Sequence, residues 1–176
     1  MRDLSEEIIE LISPPPTPSE LRWERAEAEI GARIPSDYKA LLAGLGGAGE
    51  FDECLCLFEP DSRLTGWDLA NLVAERDAVW QYLKDRGRTE LPEKYFNKNV
   101  RLIPFALSEQ NVFYWIALSG RLEDESAVLF VNADIDDWLE FDKSATEVIY
   151  DLLHRRIRHY VFDEYFSDLP HTYERF

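Results

Sequence analysis

The hydrophobic positions in the first quarter of the chain recur at helical spacing. This periodicity predicts a first helix over residues 4–12. The proline-rich stretch SPPPTP ends it, because proline lacks a backbone donor. We expect a second helix to begin in that stretch, with Thr17 as N-cap, Pro18 as first helical residue and Glu20 completing a capping box. Gly31 fits the left-handed position at the end of this helix.

Two more helices and a first strand are predicted before residue 90. Pro35 opens a helix with apolar residues at i, i+3, i+4 and i+7, and the glycine-rich stretch GLGGAG, residues 44–49, follows it. The apolar run EFDECLCLF, residues 50–58, is typical of one strand. A long helix is predicted over about Thr65 to Lys84. Its expected buried stripe is Leu69, Leu72, Val73, Val79, Trp80 and Leu83.

The second half of the chain reads as strands followed by one helix. Short polar links between the strands favour hairpins, so the sheet should be mostly antiparallel. Ser144 and Glu147 form a capping box that opens the helix, which we expect to continue to about Phe166 before a loose tail. The fold class that follows is α+β, a single domain with helices packed around a twisted sheet. The strand candidates are 100–107, 112–118, 127–131 and 137–141.

Composition and charge narrow the classes of partner. The 176 residues carry a formal net charge of −16, which repels nucleic acid and anionic membrane and attracts a basic protein. No apolar run approaches the ~20 residues that cross a bilayer. The N-terminal stretch carries acids among its apolar residues and does not resemble a secretory signal. Together with only two cysteines, Cys54 and Cys56, this predicts a cytoplasmic protein.

The stretch GLGGAG matches the G-x-G-x-x-G pattern of dinucleotide-binding proteins, but its setting differs. A phosphate-binding turn follows a strand and opens a helix, whose free N–H groups hold the phosphate. Here the predicted order is helix, glycines, strand. The glycines are therefore expected to cap a helix, and we predict no nicotinamide or flavin cofactor.

The chain lacks the motifs of common catalytic and metal sites. It has three histidines, His154, His159 and His171, and no nucleophile elbow, zinc-protease motif or P-loop. The acidic run NADIDDWLEFD suggests calcium, but an EF-hand loop counted from Asp134 would have Leu139 where glycine is needed and Ala145 where glutamate is needed. We therefore expect no metal, no cofactor and no enzymatic activity.

Acidic residues beside the strands are the best candidates for contacting a partner. One group stands at the first strand and another near the last strand of the sheet. Tyr114 and Trp138 are candidate aromatic anchors, because such residues often dominate interface energy. The alternative for Trp138 is a place in the core. The two acidic groups are Glu50, Asp52 and Glu53, and Asp134, Asp136, Asp137, Glu140 and Asp142.

The stretch AEAEIGARIPSDYKALLAGLGG resembles the opening motif of the SUKH superfamily, the Smi/Knr-type proteins. Later, RLIPFALSEQNVFYWIAL, AVLFVNADIDDWLEF and SATEVIYDLL resemble its strands and its last helix. The resemblance covers about residues 20–155, leaving helix 4–12 and the extension 156–176 unmatched. The residues that match the opening motif are Glu27, Ile30, Gly31, Ile34, Pro35, Asp37, Tyr38, Leu42 and Gly46.

The resemblance implies a single α+β domain without catalysis. Bacterial members are mostly thought to be immunity proteins that bind and neutralise toxins, many of them nucleases, and fungal members look like scaffolds in cell-wall signalling. The resemblance and the negative charge together predict an immunity protein that binds a basic toxin. The alternative is a regulatory scaffold that binds endogenous proteins.

Overall fold

The structure is a computed structural model. It describes residues 2–88, 95, 100–108, 112–119, 126–131, 138–157 and 168–176, and at 112, 113, 119 and 126–131 the description is of the backbone.

The described strands form one seven-stranded sheet in the order β6-β5-β4-β3-β2-β1-β7, and every strand pairing in it is antiparallel. The described residues also form five α-helices, so the α+β fold class is confirmed. The predicted strands of the second half are β3 to β6. The strands are β1 Gly49–Phe51, β2 Leu55–Leu57, β3 Val100–Ser108, β4 Val112–Ser119, β5 Ser126–Val131, β6 Trp138–Phe141 and β7 Tyr173–Arg175. The α-helices are α1 Ser5–Ile9, α2 Glu24–Ile30, α3 Ser36–Leu45, α4 Leu69–Asp85 and α5 Ala145–Leu153.

The stretch predicted as one strand is a hairpin of two short strands. Strand β1 ends at Phe51 and β2 begins opposite it at Leu55. Asp52 and Glu53 turn the chain with positive φ angles of 49° and 58°. Residues other than glycine seldom adopt positive φ angles. The apolar residues on both sides of Asp52 and Glu53 therefore suggested one continuous strand, and the turn was not predicted.

The second helix begins later than its capping signals predict. Helix α2 starts at Glu24, and Thr17 does not cap it. Ser19 instead binds the end of α3, donating its N–H to the Ala43 carbonyl at 2.9 Å and its hydroxyl to the Gly46 carbonyl at 3.1 Å. These contacts hold the segment before α2 against another helix, so the local capping box does not form.

The fourth helix is preceded by a 3₁₀ turn at Thr65–Trp67 and is capped by Asp68, which accepts from the Asn71 N–H at 2.9 Å. Its predicted stripe is buried at Leu69, Leu72, Val73 and Trp80. Val79 is 40% exposed, so its predicted burial is wrong. No other element that the structure describes covers the Val79 side chain fully, and the spacing of apolar residues along a helix does not show where the neighbouring elements lie.

The C-terminal segment is ordered where it is described, and the prediction of a loose tail is wrong. Helix α5 ends at Leu153, well before Phe166, although its predicted capping box is present at Ser144. Strand β7 pairs with β1, and the His171 backbone bonds to Ser13 and to Leu11 at 2.9 and 2.8 Å. The predicted helical extension at 158–166 lies outside the described residues.

The sheet has two faces with different neighbours. The core face, which includes Phe51, Ile103 and Ile116, packs on α1, α3 and α5 in the main hydrophobic core. The opposite face, called the outer face, carries Trp115, which packs edge-on to Trp80 of α4 with ring centroids 5.3 Å apart. Helix α4 therefore covers part of the outer face.

Candidate functional site

Glu50 and Glu140, one from each predicted acidic group, lie near opposite ends of the sheet and on the same face. Glu50 belongs to β1 and Glu140 to β6, and four strands separate them. Five interstrand spacings amount to roughly 24 Å. One row of register partners crosses all seven strands on the outer face. The row is Glu174, Glu50, Cys56, Leu107, Phe113, Val131 and Trp138.

At the β1 end, three exposed or half-exposed carboxylates form what we call the acidic edge: Glu50, Glu53 and Glu174. Glu50 and Glu174 are direct partners on neighbouring antiparallel strands, an arrangement that brings Cβ atoms within about 4.5–5.5 Å. Within the described part of the chain, none of the three forms an ion pair. Sequence reasoning missed Glu174, because nothing local marks the tail as a strand.

Asp52 has a structural position instead of a surface one. Its side chain is 4% exposed and accepts from His171 Nδ1 at 2.6 Å and from the Thr172 N–H at 2.8 Å. The other ring nitrogen of His171, Nε2, lies within hydrogen-bond distance of the Leu153 carbonyl oxygen, at 3.0 Å. This histidine–aspartate pair thus has both ring nitrogens occupied and ties the C-terminal segment to the β1–β2 turn.

At the β6 end, the strand presents alternate residues to the two faces. Leu139 and Phe141 pack on the main core, while Glu140 is exposed on the outer face. Trp138 is half-buried and packs edge-on near Tyr95 with ring centroids 6.5 Å apart. Asp142 is exposed beyond the strand. The remaining predicted acids, Asp134, Asp136 and Asp137, lie outside the described residues.

Tyr114 is buried on the core face, where a partner cannot reach it. Its side chain is 1% exposed and packs edge-on to Phe105 with ring centroids 6.1 Å apart. Burial raises the pKa of its phenol well above the usual value. We therefore leave Tyr114 out of any binding surface.

The glycine-rich stretch contacts α1 and β7, and a strand, not a helix, follows it. Gly46 caps α3 with a φ of 86°, which fits the predicted order of helix, glycines and strand. A Cβ on Gly44 would overlap Ile9 of α1, and one on Gly49 would overlap the Glu174 carbonyl and lie 2.9 Å from the Tyr173 ring. These glycines lack side chains because α1 and β7 pack directly on their backbone.

Several residues of the opening motif serve the fold. Asp37 accepts from the Thr146 N–H at 3.1 Å and joins the starts of α3 and α5. Glu27 accepts from the Ile34 N–H at 2.9 Å and so closes the turn after α2. The Tyr38 hydroxyl lies between the carbonyls of Phe58 and Phe105, 2.7 and 2.8 Å away, and its single proton is shared between these two acceptors. The motif therefore specifies how helices and sheet meet.

Metal ligands and membrane-crossing helices are two further features to consider. Among the residues that the structure describes, no three or more histidine, cysteine, aspartate or glutamate side chains are grouped to hold a metal ion. Cys54 and Cys56 are not joined in a disulfide. No helix in the described ranges has the length and apolar character that crossing a membrane requires.

Comparison with known proteins identifies the family. The family model of the SMI1 / KNR4 family (SUKH-1) matches residues 15–151, which is well over half of the chain. No curated protein and no solved structure matches the chain. Proteins of this family are generally non-catalytic immunity or regulatory domains that act through protein–protein interaction. The matched range and the motif geometry lead to one conclusion: the chain belongs to the SMI1/KNR4 (SUKH-1) family.

Proposed function

We propose that this protein is an immunity protein that neutralises a basic toxin by binding it. Family membership supports a protein-interaction or immunity role. The net charge of −16 favours a cationic partner, and nuclease toxins are commonly basic because they grip phosphates. Inhibition then consists of covering the toxin's own site, and it requires no chemistry from this chain.

The acidic edge is the single observation that carries the proposal. Glu50 and Glu174 face each other, neither forms an ion pair among the residues that the structure describes, and like charges directly opposite on neighbouring strands are destabilising. A lysine or arginine of the toxin placed between them converts this repulsion into two charge-assisted hydrogen bonds. Glu53 lies in the turn that follows Glu50 along the same hairpin and adds a third negative charge.

The β6 end is a second part of the proposed surface. Glu140, Asp142 and the half-buried Trp138 combine charges with an aromatic side chain, as interface centres often do. Strands in a sheet rotate by about 20–25° each, so the two ends turn roughly 100° or more away from each other. One compact toxin domain therefore engages one end at a time, and we assign the principal contact to the acidic edge.

Co-expression tests the function directly. A candidate toxin domain, to be sought among the neighbouring genes, is expressed with and without this chain, and surviving cells are counted. We expect survival only when the chain is present. Equal killing in both cultures contradicts the proposal.

Deletion of the gene separates immunity from a regulatory scaffold. A strain that lacks an immunity protein grows normally alone and dies beside siblings that secrete the toxin. A strain that lacks a scaffold has a growth or cell-wall defect in isolation. The second result replaces toxin neutralisation with binding of endogenous partners.

A further inference from the structure

A cleft of about 580 Å³ lies where the segment before α2, the loop 59–64 and the end of β7 meet. Three arginines line it, Arg22, Arg63 and Arg175, and all three are exposed. They come from positions far apart in the chain, and their meeting is a product of the fold. On a protein with 35 acidic and 19 basic residues, such a grouping of arginines is unexpected.

The three guanidinium groups have no internal carboxylate partner. In the ranges that the structure describes, none of them forms an ion pair. By contrast, Arg2, Arg25 and Arg101 are each bound to a nearby carboxylate at 2.7–3.2 Å. The arginines of the cleft are therefore available to an external anion.

Two of the cleft's three acids are engaged by the protein itself. Glu59 accepts from the Ala48 N–H at 2.9 Å, and Asp61 lies 3.0 Å from the Arg25 guanidinium. Glu20 is the third and is exposed. The lining thus holds as many arginines as acids, and one of the acids, Asp61, is paired with an arginine that does not line the cleft, so the cleft is far less acidic than the chain as a whole.

One wall of the cleft is apolar. Phe176 stacks on Trp67 with ring centroids 4.2 Å apart and planes 20° apart, and it remains 43% exposed. Leu64, which also lines the cleft, is 52% exposed. Exposed aromatic and aliphatic groups beside arginines suit a peptide that carries acidic and apolar side chains together.

The position of Arg175 is set by the glycine turn. A Cβ at Gly46 would lie 3.2 Å from Arg175 Cδ, and one at Gly47 would lie 3.0 Å from its Nη2. The arginine thus runs along a backbone without side chains. Its fork lies beside the cleft, and a planar arginine fork matches the geometry of a carboxylate.

We propose that this cleft binds an acidic peptide segment of a partner protein. Arginine forks pair bidentately with carboxylates, and an apolar residue next to them covers Leu64 and Phe176. A nucleic acid is disfavoured, because its many phosphates meet the repulsion of the whole chain, whereas a short acidic segment feels mainly charges within the Debye length of about 8 Å. This site is separate from the acidic edge and does not depend on the immunity role.

The test uses a fluorescent peptide in which glutamates flank a central phenylalanine, with polarisation as the readout. We expect saturable binding to the full-length chain. Arg63→Ala should weaken it by about tenfold or more, the loss typical of a charge-assisted contact. Arg88→Ala is the matched control, since it removes an exposed arginine at the end of α4 without touching the cleft.

Three results would overturn the proposal. The first is absence of saturable binding by the glutamate peptide. The second is equal weakening by Arg63→Ala and Arg88→Ala, which indicates a response to net charge alone. The third is tighter binding of a single-stranded oligonucleotide that Arg63→Ala abolishes, which makes phosphate the ligand. Arg175→Ala serves as a second variant, with circular dichroism to verify that it folds.

Discussion

At the scale of single residues, a polar side chain in the core defines how two parts of the fold join. Tyr38 has no exposed surface, and its hydroxyl bridges the backbone after β2 to the backbone of β3. It also accepts from the Phe58 N–H at 3.2 Å. Its place in the opening motif is thus explained by hydrogen bonds that phenylalanine cannot make.

Burial raises the pKa of the Tyr38 phenol well above its ordinary value near 10, against a smaller lowering by its backbone hydrogen bond to Phe58. Burial also raises the pKa values of Tyr114 and Tyr173. Above about pH 10 the unfolded chain loses these protons while the folded protein keeps them, so stability falls as pH rises. Each such tyrosine contributes a slope of about 1.4 kcal/mol per pH unit.

We therefore expect Tyr38→Phe to behave in two ways. Near neutral pH it should lower the free energy of unfolding by about 1–3 kcal/mol, because two buried carbonyls and one N–H lose a partner. Above about pH 10 its stability should fall less steeply with pH than that of the parent. Urea titrations at a series of pH values measure both effects, and parallel alkaline slopes would contradict the second.

At the scale of elements, the glycine-rich stretch after α3 holds the terminal segments in place. Helix α1 and strand β7 both pack on the backbone of these glycines. Both elements lie outside the range 15–151 that the family model matches. The buried pair of Asp52 and His171 fastens the same strand to the hairpin turn. The terminal segments are consequently integrated into the fold through contacts with the family's central motif.

Gly49→Ala should detach the C-terminal strand. The new Cβ would overlap the Glu174 carbonyl, so β7 must shift, and we expect a loss of about 1–3 kcal/mol with faster amide exchange in residues 173–176. Gly66→Ala is the matched control, because no atom lies within 4 Å of its added Cβ. Hydrogen–deuterium exchange followed by mass spectrometry compares the two. Unchanged exchange at β7 in the Gly49 variant contradicts the packing argument.

At the scale of the whole molecule, strand β7 connects two surfaces of opposite character. Glu174 belongs to the acidic edge on the outer face, and its neighbour Arg175 lines the arginine cleft. A single three-residue strand thereby supplies groups to both proposed binding sites. The overall charge of −16 steers a basic partner toward the molecule, while the local arrangement of charges determines where contact is made.

Charge reversal tests the acidic edge against net charge. Glu53→Lys with Glu174→Lys should slow association with the toxin domain by about tenfold at low salt and flatten its salt dependence. Stability should change by under ~0.5 kcal/mol per exposed position. Glu6→Lys with Glu10→Lys changes the net charge equally on α1, which packs on the other face of the sheet. Stopped-flow rates for both pairs decide the matter: equal slowing means that only net charge steers the partner.

Much of the fold could be predicted because its causes are local. The strands β3 to β6 are short, mostly apolar runs joined by short links, and the box at Ser144 and Glu147 opens α5 where predicted. The left-handed glycine caps at Gly31 and Gly46 are likewise present. In each case the physical reason, side-chain periodicity or a cap within one turn, is contained in a few neighbouring residues.

The remaining features depend on partners that are distant along the chain. Asp52 meets His171 across 119 positions, which turns a predicted surface acid into a buried one. The segment around Ser19 forms hydrogen bonds to α3 instead of the helix start that its sequence predicts. Residues 173–175 form a strand by pairing with β1.

By itself the sequence determined the helices with clear caps, the sheet-forming half of the chain, the acidic character and the family. Only the tertiary structure decided which acids face solvent, how the two ends of the chain are held and that three arginines line one cleft. The physical reason is that burial and charge pairing are properties of neighbours in space, which periodicity along the chain does not encode.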